Sequence, residues 1–354
     1  MVQIMIMAGG TGGHIFPALA VATHLRQQGC DIIWLGSTQG LETRLVPQHG
    51  FKLETIQIAG LRSVGFMRKL KAPIQVTKAL FQAQRIIQTY KPKAVLGMGG
   101  FASGPGGIAA WLAGIPLIIH EQNKIPGVTN RVLARFATKV FQAFPNSFPT
   151  ATRAITCGNP VRQEIIALPS PTIRWQERTG NLRLLILGGS QGANILNETV
   201  PAAINLISSE LRPQIRHQTG AATVDATIAT YQKYGINATV TPFINDMAEA
   251  YGWADLAIAR AGALTLAELA AAGLGAILVP YPHAVDDHQT LNAAWLVQAN
   301  AAQLLPQYQL TADSLANAIK PLVENRIHAL KLATAARVQA QTTATQTIAQ
   351  ACLE

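Results

Sequence analysis

The sequence predicts an α/β chain of two similar domains, each a parallel sheet with helices on both faces. Three observations carry that expectation. Short apolar runs alternate with stretches of helical periodicity along the chain. A glycine loop stands directly behind the first run of each half: Gly9-Gly10-Thr11-Gly12-Gly13-His14 after Val2 to Ala8, and Gly188-Gly189-Ser190-Gln191-Gly192 after Leu182 to Leu187. The length of 354 residues suits about two domains of roughly 100 to 200 residues each. Glycines at the carboxyl end of a strand let backbone N–H groups approach an anion, and the following helix adds the positive end of its dipole. Two such loops a domain length apart suggest domains facing each other across a cleft that holds a phosphorylated ligand.

In the first half, Gln3 to Ala8, Asp31 to Leu35, Lys93 to Leu96, Leu117 to His120 and Lys139 to Ala143 read as strands, with helices including Pro17 to Gln28 and Ile74 to Thr89. Gly158-Asn159-Pro160 and Pro169-Ser170-Pro171 mark the end of that rhythm, so the domains are expected at 1–160 and 161–340. It restarts with Leu182 to Leu187, Ile215 to Gln218, Ala238 to Phe243, Leu256 to Ala259 and Ala276 to Val279. Leu315 to Cys352 is helical by composition, and its last part, about 340–354, could pack back on the first domain.

Composition narrows the function. Nearly half of the residues are apolar and 13% are charged, which describes an ordered globular enzyme rather than a disordered or fibrous chain. No apolar stretch reaches the roughly 18 residues that span a bilayer, and the amino terminus has strand character without the basic start of a signal peptide. The expected compartment is the cytoplasm. Cys30, Cys157 and Cys352 are scattered, with no C-x-x-C spacing, which argues against a disulfide framework or a zinc site.

The net charge of +10 is uneven: nine basic residues stand between Lys52 and Lys93 against one acid, Glu54. Within that stretch Leu61, Val64, Phe66, Met67, Leu70 and Ile74 interleave with Arg68, Lys69 and Lys71. Such a surface touches anionic headgroups and dips apolar side chains between them. A solvated helix with a basic face is the alternative. A nucleic-acid surface is disfavoured, because the aromatic interleaving of a stacking platform is missing.

The first loop fails the dinucleotide fingerprint, since Ile15 stands where a third glycine is required and Asp31 opens the second strand instead of ending it. His14 lies at the junction of loop and helix, with Pro17 read as a first-turn proline. Imidazole titrates near neutrality, so His14 either caps this helix or serves as a general base. Gly97 to Gly107 holds six glycines in eleven residues; it reads as a second anion cradle in the first domain or as a flexible loop.

The second loop also fits G-x-S-x-G, the nucleophile elbow of hydrolases, with Asp255 and His283 following in triad order. That makes a hydrolase the runner-up. Thr265 and Glu268 have capping-box spacing, so Glu268 either satisfies a backbone N–H or accepts hydrogen bonds from a ribose diol. His283, Asp286, Asp287 and His288 lack helical zinc spacing and read as a polar loop lining a sugar pocket.

Seven motifs in order resemble the MurG family of bacterial glycosyltransferases over essentially the whole chain: Met7 to His14, Gly97 to Gly100, His120-Glu121-Gln122-Asn123, Gly158 to Arg162, Gly188 to Ala193, Gly262 to Thr265, and His288 to Ala293. The resemblance implies a GT-B fold of two Rossmann-like domains. It implies an inverting, metal-independent transfer of N-acetylglucosamine from UDP-N-acetylglucosamine to the 4-hydroxyl of N-acetylmuramic acid in lipid I, giving lipid II for peptidoglycan, with no cofactor. By the same likeness, His14 is the favoured base, Thr11, Gly12 and Gly13 touch the donor sugar or diphosphate, and Asn123 the sugar hydroxyls. Arg162 and Ser190 hold the diphosphate, Ile244 meets uracil, Ala263, Leu264, Thr265, Leu266, Ala267 and Glu268 cover phosphates and ribose, and Gln289 binds the glucosamine hydroxyls. The segment 60–78 looks like the family's membrane-facing patch, which places the chain peripherally on the cytoplasmic face of the inner membrane, beside other cell-wall synthesis proteins and without nucleic acid. Ala261 and Phe101 depart from the serine and tyrosine frequent in relatives.

Overall fold

A computed structural model describes residues 2–58, 66–176, 178–189 and 192–354. The chain divides into two units, one of 1–161 with 342–354 and one of 162–341. In the first unit the order is β1 (Gln3–Met7), α1 (Gly12–Gln27), β2 (Asp31–Ser37), α2 (Glu42–Gln48), β3 (Lys52–Ile56), α3 (Phe66–Tyr90), β4 (Ala94–Gly97), α4 (Ser103–Leu112), β5 (Leu117–Glu121), α5 (Val128–Leu133), β6 (Lys139–Gln142) and β7 (Ile155–Thr156). The strands pair in parallel as β3-β2-β1-β4-β5-β6-β7. Strand order reverses between β1 and β4, so the loops after these two strands lie side by side at the switch point of the sheet.

Continuous apolar runs form these strands because both faces of the sheet are covered. Ile4 and Ile6 of β1 face a cluster with Trp34, Leu25 and Val21, while Met5 and Met7 face one with Leu35, Val95, Ala83 and Ala109. Each fully buried side chain of this size contributes roughly 1.5–3 kcal/mol. The carboxyl-terminal helix α15 (Ala344–Leu353) packs on α1 and closes the first cluster through Ile348 and Cys352. Lys93 donates to the Leu353 carbonyl and Lys139 pairs with Glu354, which pins the helix end. Cys30, Cys157 and Cys352 are buried free thiols; burial pushes the latter two up to about 12.

The second unit runs α6 (Gln163–Ile166), α7 (Pro171–Gln176), β8 (Arg183–Leu187), α8 (Asn194–Asn205), β9 (Gln214–Gln218), α9 (Val224–Lys233), β10 (Ala238–Thr241), α10 (Met247–Trp253), β11 (Leu256–Ala259), α11 (Ala263–Ala272), β12 (Gly275–Leu278), α12 (His288–Gln298), β13 (Ala302–Leu304), α13 (Ala312–Glu324) and α14 (Arg326–Val338). Its parallel sheet has the order β10-β9-β8-β11-β12-β13. This is the doubly wound 3-2-1-4-5-6 arrangement, with the switch point between β8 and β11.

Several local readings need correction. Helix α1 begins at Gly12 with Thr11 as N-cap, so Gly12 and Gly13 already belong to its first turn. Pro17 is then the sixth helical residue and not a first-turn proline, and its ring removes the amide that would reach the Gly13 carbonyl. Strands β3, β7 and β13 were not anticipated: Lys-Leu-Glu-Thr-Ile in β3 is half exposed at the sheet edge, and the other two are only two and three residues long. In the second half α11 starts from Gly262 with no side-chain cap, so Thr265 and Glu268 form no capping box.

Candidate functional site

The first unit gathers its polar groups where β1 and β4 end. Trp34 Nε1 donates to the Ala8 carbonyl at 2.8 Å, and Met98 N–H donates to the Met7 carbonyl at 2.8 Å, which fixes the exit of β1. Beyond it the Gly10 N–H donates to Glu42 Oε2 at 2.9 Å. His14, in the first turn of α1 and half-buried, lies 3.2 Å from the Gly9 carbonyl oxygen through Nδ1. A carbonyl only accepts, so Nδ1 carries the proton, which in the neutral imidazole leaves the lone pair on Nε2. Nε2 lies against Gly99, where a Cβ would sit 3.0 Å away. Thr11 and Gly13 are exposed beside it.

The glycine cluster after β4, expected as an anion cradle or a flexible loop, packs closely against the first loop. Gly100, at φ +89°, lies so close to the first loop that a Cβ would meet the Gly9 oxygen at 2.5 Å. Ser103 Oγ bonds the carbonyls of Met7 and Gly99, and Gly106 and Gly107 let α4 sit on Met7 and Leu133. These glycines pack the second loop of the sheet against the first. Phe101 is exposed beside them.

After β5, the buried Glu121 carboxylate accepts from Asn123 N–H at 2.9 Å, Gly127 N–H at 3.1 Å and Asn130 Nδ2 at 2.9 Å. It thereby shapes the turn that presents Asn123. His120 is fully buried and donates from Nε2 to the Gly158 carbonyl at 2.9 Å; burial pushes it down to about 4, so it is neutral at pH 7.

In the second unit the residues singled out from the sequence cluster at the carboxyl edge of the sheet. Ile244 follows β10, Ala263 to Glu268 follow β11 as the first turns of α11, and Gln289 follows β12 in the first turn of α12. Ser190 lies outside the described residues, as do 60–65 of the basic segment. Arg162 Nη2 and Glu268 Oε1 form an ion pair at 2.9 Å, and Tyr251 donates to Glu268 Oε2 at 3.0 Å. Burial raises Glu268 and the Arg162 charge opposes that shift; burial, then Glu268, holds the Tyr251 phenol well above its usual range. The geometry therefore joins Arg162 to Glu268, two groups expected to act on different parts of a ligand.

Leu266 is not brought to the surface: it is fully buried, and its N–H donates to the Gly262 carbonyl at 3.0 Å. The accessible edge of the turn is Leu264 and Thr265, both half-buried. Gln289 Oε1 accepts from the Tyr281 N–H at 2.9 Å, which closes a loop containing Asp286 and Asp287 at φ of 54° and 49°. Left-handed backbone at two successive non-glycine residues costs of order 1–3 kcal/mol each. Among the described residues no three His, Cys, Asp or Glu side chains come together as a metal-binding group.

The hydrolase alternative fails on position. Asp255 is fully buried at the start of β11, where it accepts from Arg183 N–H at 3.0 Å and pairs with Arg178 at 3.2 Å. Arg183 opens β8, a strand of five residues, so Asp255 lies about 15 Å from the strand end at which an elbow serine would act. Two functional supports were missed: Glu42 and Gln218. Gln218 ends β9 and donates to the Gly189 carbonyl at 3.1 Å. The only signal for Glu42 is its place after the glycines at 36 and 40.

Comparison with known proteins fits this arrangement. Residues 4–142 match the glycosyltransferase family 28 N-terminal domain and 183–350 its C-terminal domain. A relative from Nitrosococcus oceani, named UDP-N-acetylglucosamine--N-acetylmuramyl-(pentapeptide) pyrophosphoryl-undecaprenol N-acetylglucosamine transferase, is 51% identical over 100% of this chain and 98% of its own. A relative of the same name from Neisseria gonorrhoeae is 52% identical over 99% and 97%. The crystal structure of Acinetobacter baumannii MurG superposes with a TM-score of 0.86 at 43% identity, covering 100% of this chain and 99% of that one. With two doubly wound sheets, both family 28 domains and end-to-end identity near one half, the chain belongs to the MurG family of GT-B glycosyltransferases.

Proposed function

We propose that the chain transfers N-acetylglucosamine from UDP-N-acetylglucosamine to the 4-hydroxyl of N-acetylmuramic acid in lipid I, with inversion, to give lipid II. The observation that carries this reading is the full-length likeness to enzymes named for that reaction. The acceptor oxygen attacks the anomeric carbon as the bond to UDP breaks, through an oxocarbenium-like transition state. Nε2 of His14 takes the hydroxyl proton, a contribution of about 10² to 10⁴ in rate. Charge on the departing diphosphate is met by the second glycine loop, Ser190, Arg162 and the first turn of α11, as preorganised donors. Glu268 receives the ribose diol, Ile244 the uracil and Gln289 the sugar hydroxyls, while Thr11, Gly12, Gly13 and Asn123 line the path of the transferred sugar. Transfer of labelled sugar from UDP-N-acetylglucosamine to a lipid I analogue, undiminished in EDTA, is the expected result. Absence of product with any acceptor refutes the enzyme reading, and a strict metal requirement refutes this account of the leaving group.

The first unit is further proposed to rest on the cytoplasmic face of the membrane as a peripheral protein, through 60–78 and the rest of α3. Ile74 and Phe81 are 72% and 61% exposed. They line a surface depression of about 620 Å³ with Pro73, Thr77, Lys78 and Arg85. Exposed Trp111 and Leu112 lie on α4, which packs on α3. Apolar side chains with flanking cations suit an anionic bilayer, and no helix among the described residues is long and apolar enough to cross one. Sedimentation with vesicles containing phosphatidylglycerol should exceed that with neutral vesicles and fall as salt rises; equal binding to both would refute the electrostatic part. Other cell-wall synthesis proteins are natural neighbours for an enzyme at that surface.

A further inference from the structure

The Glu42 side chain is fully buried at the start of α2, and its carboxylate has no cation within 4 Å among the described residues. Three donors converge on it instead: Ser37 N–H at 2.9 Å and Ser37 Oγ at 2.7 Å on Oε1, and Gly10 N–H at 2.9 Å on Oε2. Three glycines make the room. A Cβ at Gly9 would meet Oε1 at 2.5 Å, one at Gly36 would meet Cγ at 2.7 Å, and one at Gly40 would overlap the carboxylate. A buried charge held by hydrogen bonds alone is costly to build and is weak support for stability.

Its partner is informative. The Gly10 N–H and the Gly9 C=O are the two ends of one peptide unit. The N–H end is held by Glu42 and the C=O end receives Nδ1–H of His14 at 3.2 Å. Hydrogen bonds in series polarise one another, so a carboxylate on the amide makes the carbonyl a stronger acceptor for the imidazole.

We propose that Glu42 is a positioning residue that acts on His14 through the Gly9–Gly10 peptide: it holds the proton on Nδ1, keeps Nε2 as the lone pair, and steadies the imidazolium formed when Nε2 takes the acceptor's proton. No atom of Glu42 touches substrate. The inference rests on the reading of His14 as the base, and it supplies the carboxylate that such a histidine ordinarily bonds directly.

The test uses the full-length protein with ¹⁵N-labelled histidine, the His14 signals being assigned by their loss in His14→Gln. Neutral His14 is expected as the Nδ1–H tautomer. Glu42→Gln keeps the shape but sets an amide N–H₂ against one of the backbone donors; it should leave a mixture of tautomers. It should also lower kcat at least about tenfold, well short of the ~10⁴ lost when a directly bonded carboxylate is replaced, with KM for UDP-N-acetylglucosamine within about twofold. Wild-type His14 in the Nε2–H form overturns the proposal without any variant, and so does a folded Glu42→Gln protein whose tautomer is unchanged. If instead His14→Ala keeps full turnover, the base reading fails, whatever the tautomer shows about Glu42.

Discussion

The two glycine loops look alike in sequence and occupy the same place, behind the first strand of a doubly wound sheet, yet they are braced with opposite electrostatic sense. In the first, a carboxylate takes the Gly10 N–H, the kind of group an anion would seek. In the second, the Gln218 amide donates to the Gly189 carbonyl, a contact that uses a loop carbonyl and not an amide. A carboxylate beneath a loop repels phosphate; a neutral amide donor does not. A glycine turn behind a strand is therefore an anion cradle only if its supports leave amides available, and at Gly10 the support takes one. The first loop does hold a histidine, through the Gly9 carbonyl and His14 Nδ1.

The strongest way to break this contrast is His14→Ala, which should lower kcat by about 10² to 10⁴ while donor affinity, which the proposed function assigns chiefly to the other unit, changes little. Unchanged turnover would strip the first loop of its role. Next in size is a pH effect that should strike both units alike. Burial pushes His120 down to about 4 and His217 to about 3. Unfolded histidine titrates near 6.5, so between that value and the folded one the unfolded chain binds a proton that the folded chain does not. Stability is present above pH 6.5 and is lost as pH falls, by about 2 kcal/mol per histidine at pH 5. Urea midpoints at pH 7 and 5 measure the loss, and His217→Gln should remove about half of it.

How far the sequence carried depends on where the physics is local. Strands of both sheets were legible because burial on two faces demands unbroken apolar runs such as Ile4 to Met7 and Leu184 to Leu187. Of the edge strands β10 was legible, while β3, β7 and β13 escaped because exposure or shortness dilutes that signal. The placement of Ile244, the start of α11 and Gln289 on one sheet edge follows from βα alternation, which a reader can count. Glu42 could not be read: in Glu-Thr-Arg-Leu-Val-Pro-Gln it resembles a surface acid at a helix start, and only the meeting of glycines 9, 36 and 40 in space shows that it is buried. The Arg162–Glu268 pair spans 106 residues of chain, and no spacing rule reaches that far.

Gln218→Glu sharpens the comparison by giving the second loop the charge of the first. It removes a donor from the Gly189 carbonyl and sets a carboxylate under the loop. The lost hydrogen bond is worth about 1 kcal/mol, and the added charge should bring the loss in UDP affinity to roughly tenfold, more at low salt than at high. Calorimetric titration of UDP at two ionic strengths reads it directly. An unchanged affinity would mean that the diphosphate does not depend on this loop.

The smallest effect expected is that of Gly10→Ala, and its smallness is what gives it value. Gly10 sits at φ +87°, which a side chain resists, but nothing lies within 4 Å of the position a Cβ would take. The backbone penalty is about 1 kcal/mol, and the bond to Glu42 can persist because it uses the amide alone. Gly192 has no such room, since a Cβ there would overlap the Thr219 carbonyl. If the first loop cradled phosphate by close backbone approach, a methyl group at residue 10 would obstruct the ligand and raise KM for the donor many-fold. A loop that serves to hold His14 instead predicts a slightly less stable protein with KM for the donor within about twofold of the parent, a change of under about 0.5 kcal/mol. Melting temperature and KM, measured on the same preparation, separate the two.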